Sequence, residues 1–319
     1  MPRRALLVGI DHYEKLAPLA GCVADAEAMR DLLENHEDGS TNYHCRLLVS
    51  SQMRITRQVL RSALNELFAH FEGDALFYFS GHGSFTQVGG LLATYDWERN
   101  DPGLPMDELL ILANGSKAGS ALLILDCCHS GALGDPATLQ GGSANQSYLR
   151  EGVTILAASR CSEPSVETDG HGVFTNLLLG ALSGGAADVR GSVSAASIYA
   201  YAEQALGAWD QRPMYKSHAD RLNPIRRCAP AVPDSLLREL PKLFKRADGP
   251  FRMNPSYERT HRTAKPEHVE IFEKFKVLRN ARLLVTESKD LYYVALRSGS
   301  VSLSALGQFY WKLAVSKRI

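Results

Sequence analysis

Five short runs of aliphatic and aromatic residues constrain this chain more than any other feature: ALLVGI (5–10), RLLV (46–49), ALFYFS (75–80), ALLILD (121–126) and VTILAAS (153–159). They show little alternation of apolar and polar residues, as expected of strands covered on both faces by helices. Between them, segments 23–36 and 56–71 carry apolar residues at helical spacing. The pattern predicts an α/β fold with a mostly parallel sheet flanked by helices. Ligands of such sheets bind beyond the carboxyl ends of the strands, so the residues just after each run are the ones to inspect.

Two of those ends carry unusual chemistry, FYFSGHG (77–83) and LILDCCHSG (123–131), and both finish in glycine. A third, weaker signal is AGCVADAEAM (20–29), which opens a helix with Asp25 in or near its first turn. Strand side chains alternate faces, so Asp126 and Cys128 should point one way and Cys127 the other; Ser80 likewise pairs with His82. A cysteine at a sheet rim needs a base or cation to become a nucleophile, and His82 is the histidine at a comparable place. The expectation is a Cys128/His82 dyad, with the N–H groups of Cys128 and Gly83 as an oxyanion hole.

Each residue also has a plainer role. A cysteine ending a buried strand is more often inert packing, and the histidines of SGHG, of CHSG (His129) and of DGHGVF (His171) suit turns. Two such ends in one chain tip the balance toward chemistry. Adjacent Cys127, Cys128 and His129 are poorly spaced for one zinc ion. A phosphatase cradle needs arginine six residues after its cysteine, where Leu133 and Gly134 stand, and no GxxxxGK[ST] loop is present. No metal or cofactor is expected.

The chain has 319 residues, 45% of them hydrophobic, enough for one sizeable core and a smaller second one. Its six cysteines form no CxxC pair, which suits a reducing, cytoplasmic setting. The apolar run after MPRR is too short for a signal peptide, and no run approaches the roughly 18 residues of a membrane span, so no membrane partner is expected. Residues 1–235 hold 18 Lys+Arg against 27 Asp+Glu, and residues 236–319 hold 17 against 8, a charge of −9 against +9. The sign change coincides with CAPAVPD (228–234) and predicts a catalytic domain over 1–232, a linker over 233–265 and an accessory domain over 266–319.

Together, SGHG, DCCHSG, GCVADAEAM and the later AASR with GVFTNLLLGAL resemble the caspase-like cysteine peptidases, most closely their metacaspase-like prokaryotic branch. The likeness covers about residues 3–228. It places the family histidine on His82 and the family cysteine on Cys128, as strand parity does independently. It further implies that Asp25, Ser80 and Asp126, with Ser159 of AASR, form the pocket for the side chain before the cleaved bond. Two carboxylates there favour arginine or lysine. Asp25 alone would equally suit a helix N-terminal acid complementing the dipole. The acidic cluster of calcium-dependent members is not evident. Arg150 reads either as a self-cleavage point or as an ordinary surface arginine, and Cys127 as structural.

Residues 266–319 read as a helix (PEHVEIFEKFKVLRNARLLV), a strand pair (LYYVAL, then SVSLS) and a last helix (ALGQFYWKLAVS), an order that resembles a winged helix. Lys274, Lys276, Arg279 and Arg282 offer charge to one helical side, and Phe272, Phe275, Val277 and Leu278 offer a core. Such a face suits docking to a regulatory protein partner; nucleic acid is the alternative ligand. The whole suggests an endopeptidase acting on protein substrates after Arg or Lys, as in bacterial defence modules. A non-catalytic adaptor or DNA-binding regulator built on the same fold is the competing class.

Overall fold

Each apolar run becomes a strand in the computed structural model, which describes residues 2–69, 71–86, 89–101, 103–127, 149–158, 167–168, 171–206, 213–219, 223–288 and 290–319. Along the chain come β1 (Arg3–Gly9), α1 (Cys22–Glu34), β2 (His44–Val49), α2 (Arg57–Phe68), β3 (Asp74–Ser80) and a small antiparallel sheet of β4 (Gly83–Thr86), β5 (Gly89–Leu92) and β6 (Leu104–Pro105). Then follow α3 (Met106–Gly115), β7 (Ser120–Asp126), β8 (Val153–Ala157), the short pair β9 (Glu167–Thr168) and β10 (His171–Gly172), α4 (Val173–Gly180), β11 (Ser192–Val193), α5 (Ala195–Leu206), β12 (Met214–His218) and β13 (Arg226–Arg227). By contact the chain divides into two units, Met1–Ala187 with Ser192–Cys228, and Asp188–Gly191 with Ala229–Ile319.

The main sheet of the first unit has the order β12-β8-β7-β3-β1-β2, parallel throughout except for β12. Its strands do not alternate because both faces are covered. Leu6, Val8, Phe77, Phe79, Leu123 and Leu125 join the core with Leu60 and Leu64 of α2 and Leu109 of α3. Leu7, Leu76, Tyr78, Leu122 and Ile124 join the other core with Met29 of α1, Leu178 of α4 and Ile198 of α5. Burying each large apolar side chain contributes about 1.5–3 kcal/mol. Helix α2 shows the local logic: Thr56 caps it by accepting the Val59 N–H (3.3 Å), and Leu60, Ala63, Leu64 and Leu67 form its buried stripe. Strand register sets Ser80 beside Gly9 on one side and Asp126 on the other.

The second unit contains α6 (Asp234–Leu243), β14 (Phe251–Arg252), α7 (Pro266–Asn280), β15 (Leu284–Thr286), α8 (Leu291–Leu296), β16 (Ser300–Leu303) and α9 (Ala305–Val315). The three strands pair antiparallel in the order β14-β16-β15. Several expectations are corrected here. Residues 233–265 are no linker: Leu236, Leu237, Leu240, Phe244, Met253 and Tyr257 are buried in one core with Phe272, Phe275 and Leu278. LYYVAL is helical rather than extended, because Asp290 accepts the Tyr292 N–H at 2.9 Å as a cap and burial falls on Leu291, Val294 and Ala295 at helical spacing. Val277 lies outside the core at 37% exposure. Of the cations expected on one helical side, Lys274 pairs with Glu239 (2.9 Å) and Glu270 (2.8 Å), and Lys276 with Glu273 (2.7 Å). Among the described residues, no helix is long and apolar enough to cross a membrane.

Candidate active site

Strands β1, β3 and β7 end side by side, with Gly9 beside Ser80 and Ser80 beside Asp126, and α1 and α4 bring Asp25 and Thr175 to those ends. Helix α1 approaches β1 closely because a Cβ at Gly9 would strike the Cys22 carbonyl. Its first turn is capped by Asp11, whose carboxylate accepts the N–H groups of Cys22 (2.8 Å), Gly21 (3.3 Å) and Val23 (3.3 Å). That anchor delivers Asp25, only 1% exposed, to the sheet rim. Ser80 donates its hydroxyl to Asp25 Oδ2 at 3.1 Å, and the Gly172 N–H points at the same oxygen at 3.4 Å.

Asp126, at the end of β7, accepts the Thr175 hydroxyl on Oδ2 at 2.6 Å, and Thr175 Oγ1 lies 2.6 Å from the Tyr78 hydroxyl. A side chain at Gly172 would begin 2.9 Å from Asp126 Oδ2 and 3.5 Å from Asp25 Oδ2, so both carboxylates converge on this glycine. Loss of solvation pushes the Asp126 carboxyl up to about 6; the hydroxyl of Thr175 opposes the rise and the negative Asp25 adds to it. Cys22, half-buried beside this group, has its thiol pushed up by burial, which a hydrogen bond with Ser80 partly offsets.

His82 follows the end of β3. Its Nε2 lies 2.9 Å from the Ala17 carbonyl, an atom that can only accept, so in the neutral ring Nε2 carries the proton and Nδ1 is the basic nitrogen. Its backbone N–H donates to the Tyr13 hydroxyl at 2.8 Å. Ala93 donates its N–H to the His82 carbonyl (3.0 Å), and Gly83 is opposite Leu92 in the β4–β5 pair. Hydrogen-bonded and non-hydrogen-bonded pairs alternate in antiparallel ladders, so the Gly83 N–H is directed away from β5.

Cys127 is buried among Leu123, Leu125 and the rest of the core on the sheet face opposite Asp126. Cys128 and Ser159 lie outside the described residues, as do His129 and Cys161. Arg150 is not a free surface arginine: its guanidinium donates to the Ala118 carbonyl (2.7 Å), Ser116 Oγ (3.0 Å) and the Glu151 carbonyl (2.7 Å). Among the described residues no group of three or more His, Cys, Asp or Glu is arranged to hold a metal ion. Sequence reasoning missed Tyr13, Ala17, Cys22, Gly172 and Thr175. Gly172 and Thr175 both sit inside the quoted GVFTNLLLGAL stretch, but only the fold brings them to Asp126.

The family model of the Caspase domain, peptidase C14, matches residues 2–223. The chain belongs to this family of cysteine peptidases. It is similar to Metacaspase-6 of Arabidopsis thaliana (32% identical over 165 residues, 46% of this chain and 43% of the relative). It is also similar to Metacaspase-5 of Trypanosoma brucei brucei (28% over 215 residues, 58% and 42%). The chain thus spans less than half the length of these two relatives. A solved structure, protein GSU0716 from Geobacter sulfurreducens, shares the fold with a TM-score of 0.52 at 18% identity, over 72% of this chain and 98% of that one.

Proposed function

We propose that the chain is a cysteine endopeptidase that cleaves proteins after arginine or lysine through a Cys128/His82 dyad. The observation that carries this is the convergence of two carboxylates, Asp25 and Asp126, on the side-chain-free Gly172 at the sheet end from which His82 also emerges. A cationic side chain is the ligand that two such groups favour most, by charge-assisted hydrogen bonds. Ser80 and, from the sequence, Ser159 complete the pocket.

In the proposed reaction His82 Nδ1 takes the proton of the Cys128 thiol, the thiolate attacks the scissile carbonyl, and the N–H groups of Gly83 and Cys128 hold the resulting oxyanion. His82 gives a proton to the leaving amine, and the C–N bond breaks to leave a thioester. The imidazole then takes a proton from water, the hydroxide attacks the thioester and frees the acid, and the imidazolium returns its proton to the Cys128 thiolate. Ala17 supports this role by keeping the proton on Nε2 and leaving Nδ1 basic.

The second unit reads as a winged-helix-like accessory domain that docks a regulatory protein in a cytoplasmic, bacterial defence or cell-death setting. The engagement of Lys274 and Lys276 by acids of their own unit favours protein docking over nucleic acid. A panel of fluorogenic peptides differing in the residue before the cleaved bond tests the main proposal, with wild type compared with Cys128→Ala. Cleavage after Arg and Lys that is lost in the variant supports it; cleavage that survives Cys128→Ala overturns it.

A further inference from the structure

The segment between β1 and α1 passes over His82 and holds it at two atoms from residues four apart in sequence. Tyr13 accepts the His82 backbone N–H at 2.8 Å, and the Ala17 carbonyl lies 2.9 Å from imidazole Nε2. The rings of Tyr13 and His82 also touch, with centroids 5.0 Å apart and an interplanar angle of 49°. This strap is itself tied down at several points. Asp11 caps α1, the Leu19 N–H donates to the Asp11 carbonyl (2.9 Å), and the Glu14 N–H donates to the Tyr95 carbonyl (3.0 Å).

Tyr13 reaches further than His82. Its ring packs against the core that contains Cys127, Phe77 and Phe79, and burial pushes its hydroxyl well above the ordinary phenol range, with Cys127 and Cys22 among the groups acting on it. Gly81 leaves it room, since a Cβ there would begin 2.7 Å from the Tyr13 hydroxyl. One side chain therefore links the end of β3, which leads to His82, with the core beside Cys127, the residue before Cys128.

We infer that Tyr13 is a positioning residue for His82: its hydroxyl and ring fix the backbone and the plane of the imidazole so that Nε2 stays on the Ala17 carbonyl and Nδ1 stays basic. The catalytic consequence rests on the Cys128/His82 dyad proposed above; the effect on the imidazole itself does not. Tyr13→Phe keeps the ring and deletes the hydroxyl, leaving the His82 N–H without its acceptor. Tyr43→Phe is the matched control, the same change at a buried tyrosine whose hydroxyl accepts from Arg3 (2.8 Å) at the far end of the sheet.

Nitrogen-15 NMR of the His82 ring reads the tautomer without any substrate. Tyr13→Phe should give a mixture where the wild type and Tyr43→Phe show the Nε2–H form, and an unchanged tautomer in Tyr13→Phe overturns the inference. In peptide cleavage, kcat of Tyr13→Phe should fall about tenfold with KM little changed, part of the factor that an oriented acid–base group supplies. Equal losses in both tyrosine variants, tracking the folded fraction, would mean a merely structural role and also overturn it. Failure of the dyad shows separately, as cleavage that persists in Cys128→Ala.

Discussion

Burial lifts the Asp126 carboxyl up to about 6, whereas an aspartate in an unfolded chain titrates at roughly 3.9. The folded state therefore binds this proton more tightly than the unfolded state, and stability from Asp126 is complete at low pH and lost as pH rises through about 6. Asp126→Asn should remove that loss, making the variant more stable than wild type at pH 7.5 by on the order of 3 kcal/mol. Urea titrations of both proteins at pH 4.5 and pH 7.5 check this, with the difference shrinking at the lower pH. The same proton occupies the proposed pocket, so KM for an arginine peptide should rise as pH falls below about 6. Asp126→Ala should weaken cleavage of that peptide by about 1.5–3 kcal/mol, the worth of a charge-assisted contact. Cys127→Ala should keep most activity, since its side chain faces the opposite core. Strand parity made the Cys127 orientation legible from letters alone. The Ala17 carbonyl and the Tyr13 hydroxyl were not legible, because a backbone atom has no sequence signature and the strap meets His82 across 65 and 69 residues.

At the scale of elements, α4 begins at the point where the two carboxylates meet. Gly172 precedes its first turn and Thr175 lies within it. Gly172→Ala puts a methyl group 2.9 Å from Asp126 Oδ2, so it should raise KM for arginine and lysine peptides while Cys128 alkylation by iodoacetamide stays at the wild-type rate. Parallel kinetic and alkylation measurements test this, and an unchanged KM would count against the pocket. The buried strands were readable because both faces of the sheet are covered, which leaves uninterrupted apolar runs. LYYVAL misled because its β-branched and aromatic residues favour strands, while the deciding facts are the Asp290 cap and the burial of Leu291, Val294 and Ala295. The expected linker misled for a related reason: its apolar residues are spread over a helix with an internal proline, a strand and a 3-10 turn, and only their shared core reveals them.

For the whole molecule, the contact boundary falls at Cys228–Ala229, near the change of charge sign, and the detour Asp188–Gly191 belongs to the second unit. Arg190 in that detour pairs with Asp234 of α6 at 2.7 Å. If the second unit serves to dock a regulatory protein, deleting residues 229–319 should abolish partner-dependent activation. It should leave Cys128 alkylation within about twofold of wild type, as expected for independent sites. A steep salt dependence of binding to DNA by the full chain, in place of protein docking, would favour the regulator class. The central claim is more direct, and one measurement addresses it: initial rates on matched peptides carrying Arg, Lys, Asp or Ala before the cleaved bond, for wild type and Cys128→Ala side by side. The account predicts turnover of the Arg and Lys peptides by wild type, none by the variant and none of the Asp peptide. Preferential cleavage after Asp, or cleavage by Cys128→Ala, would contradict it.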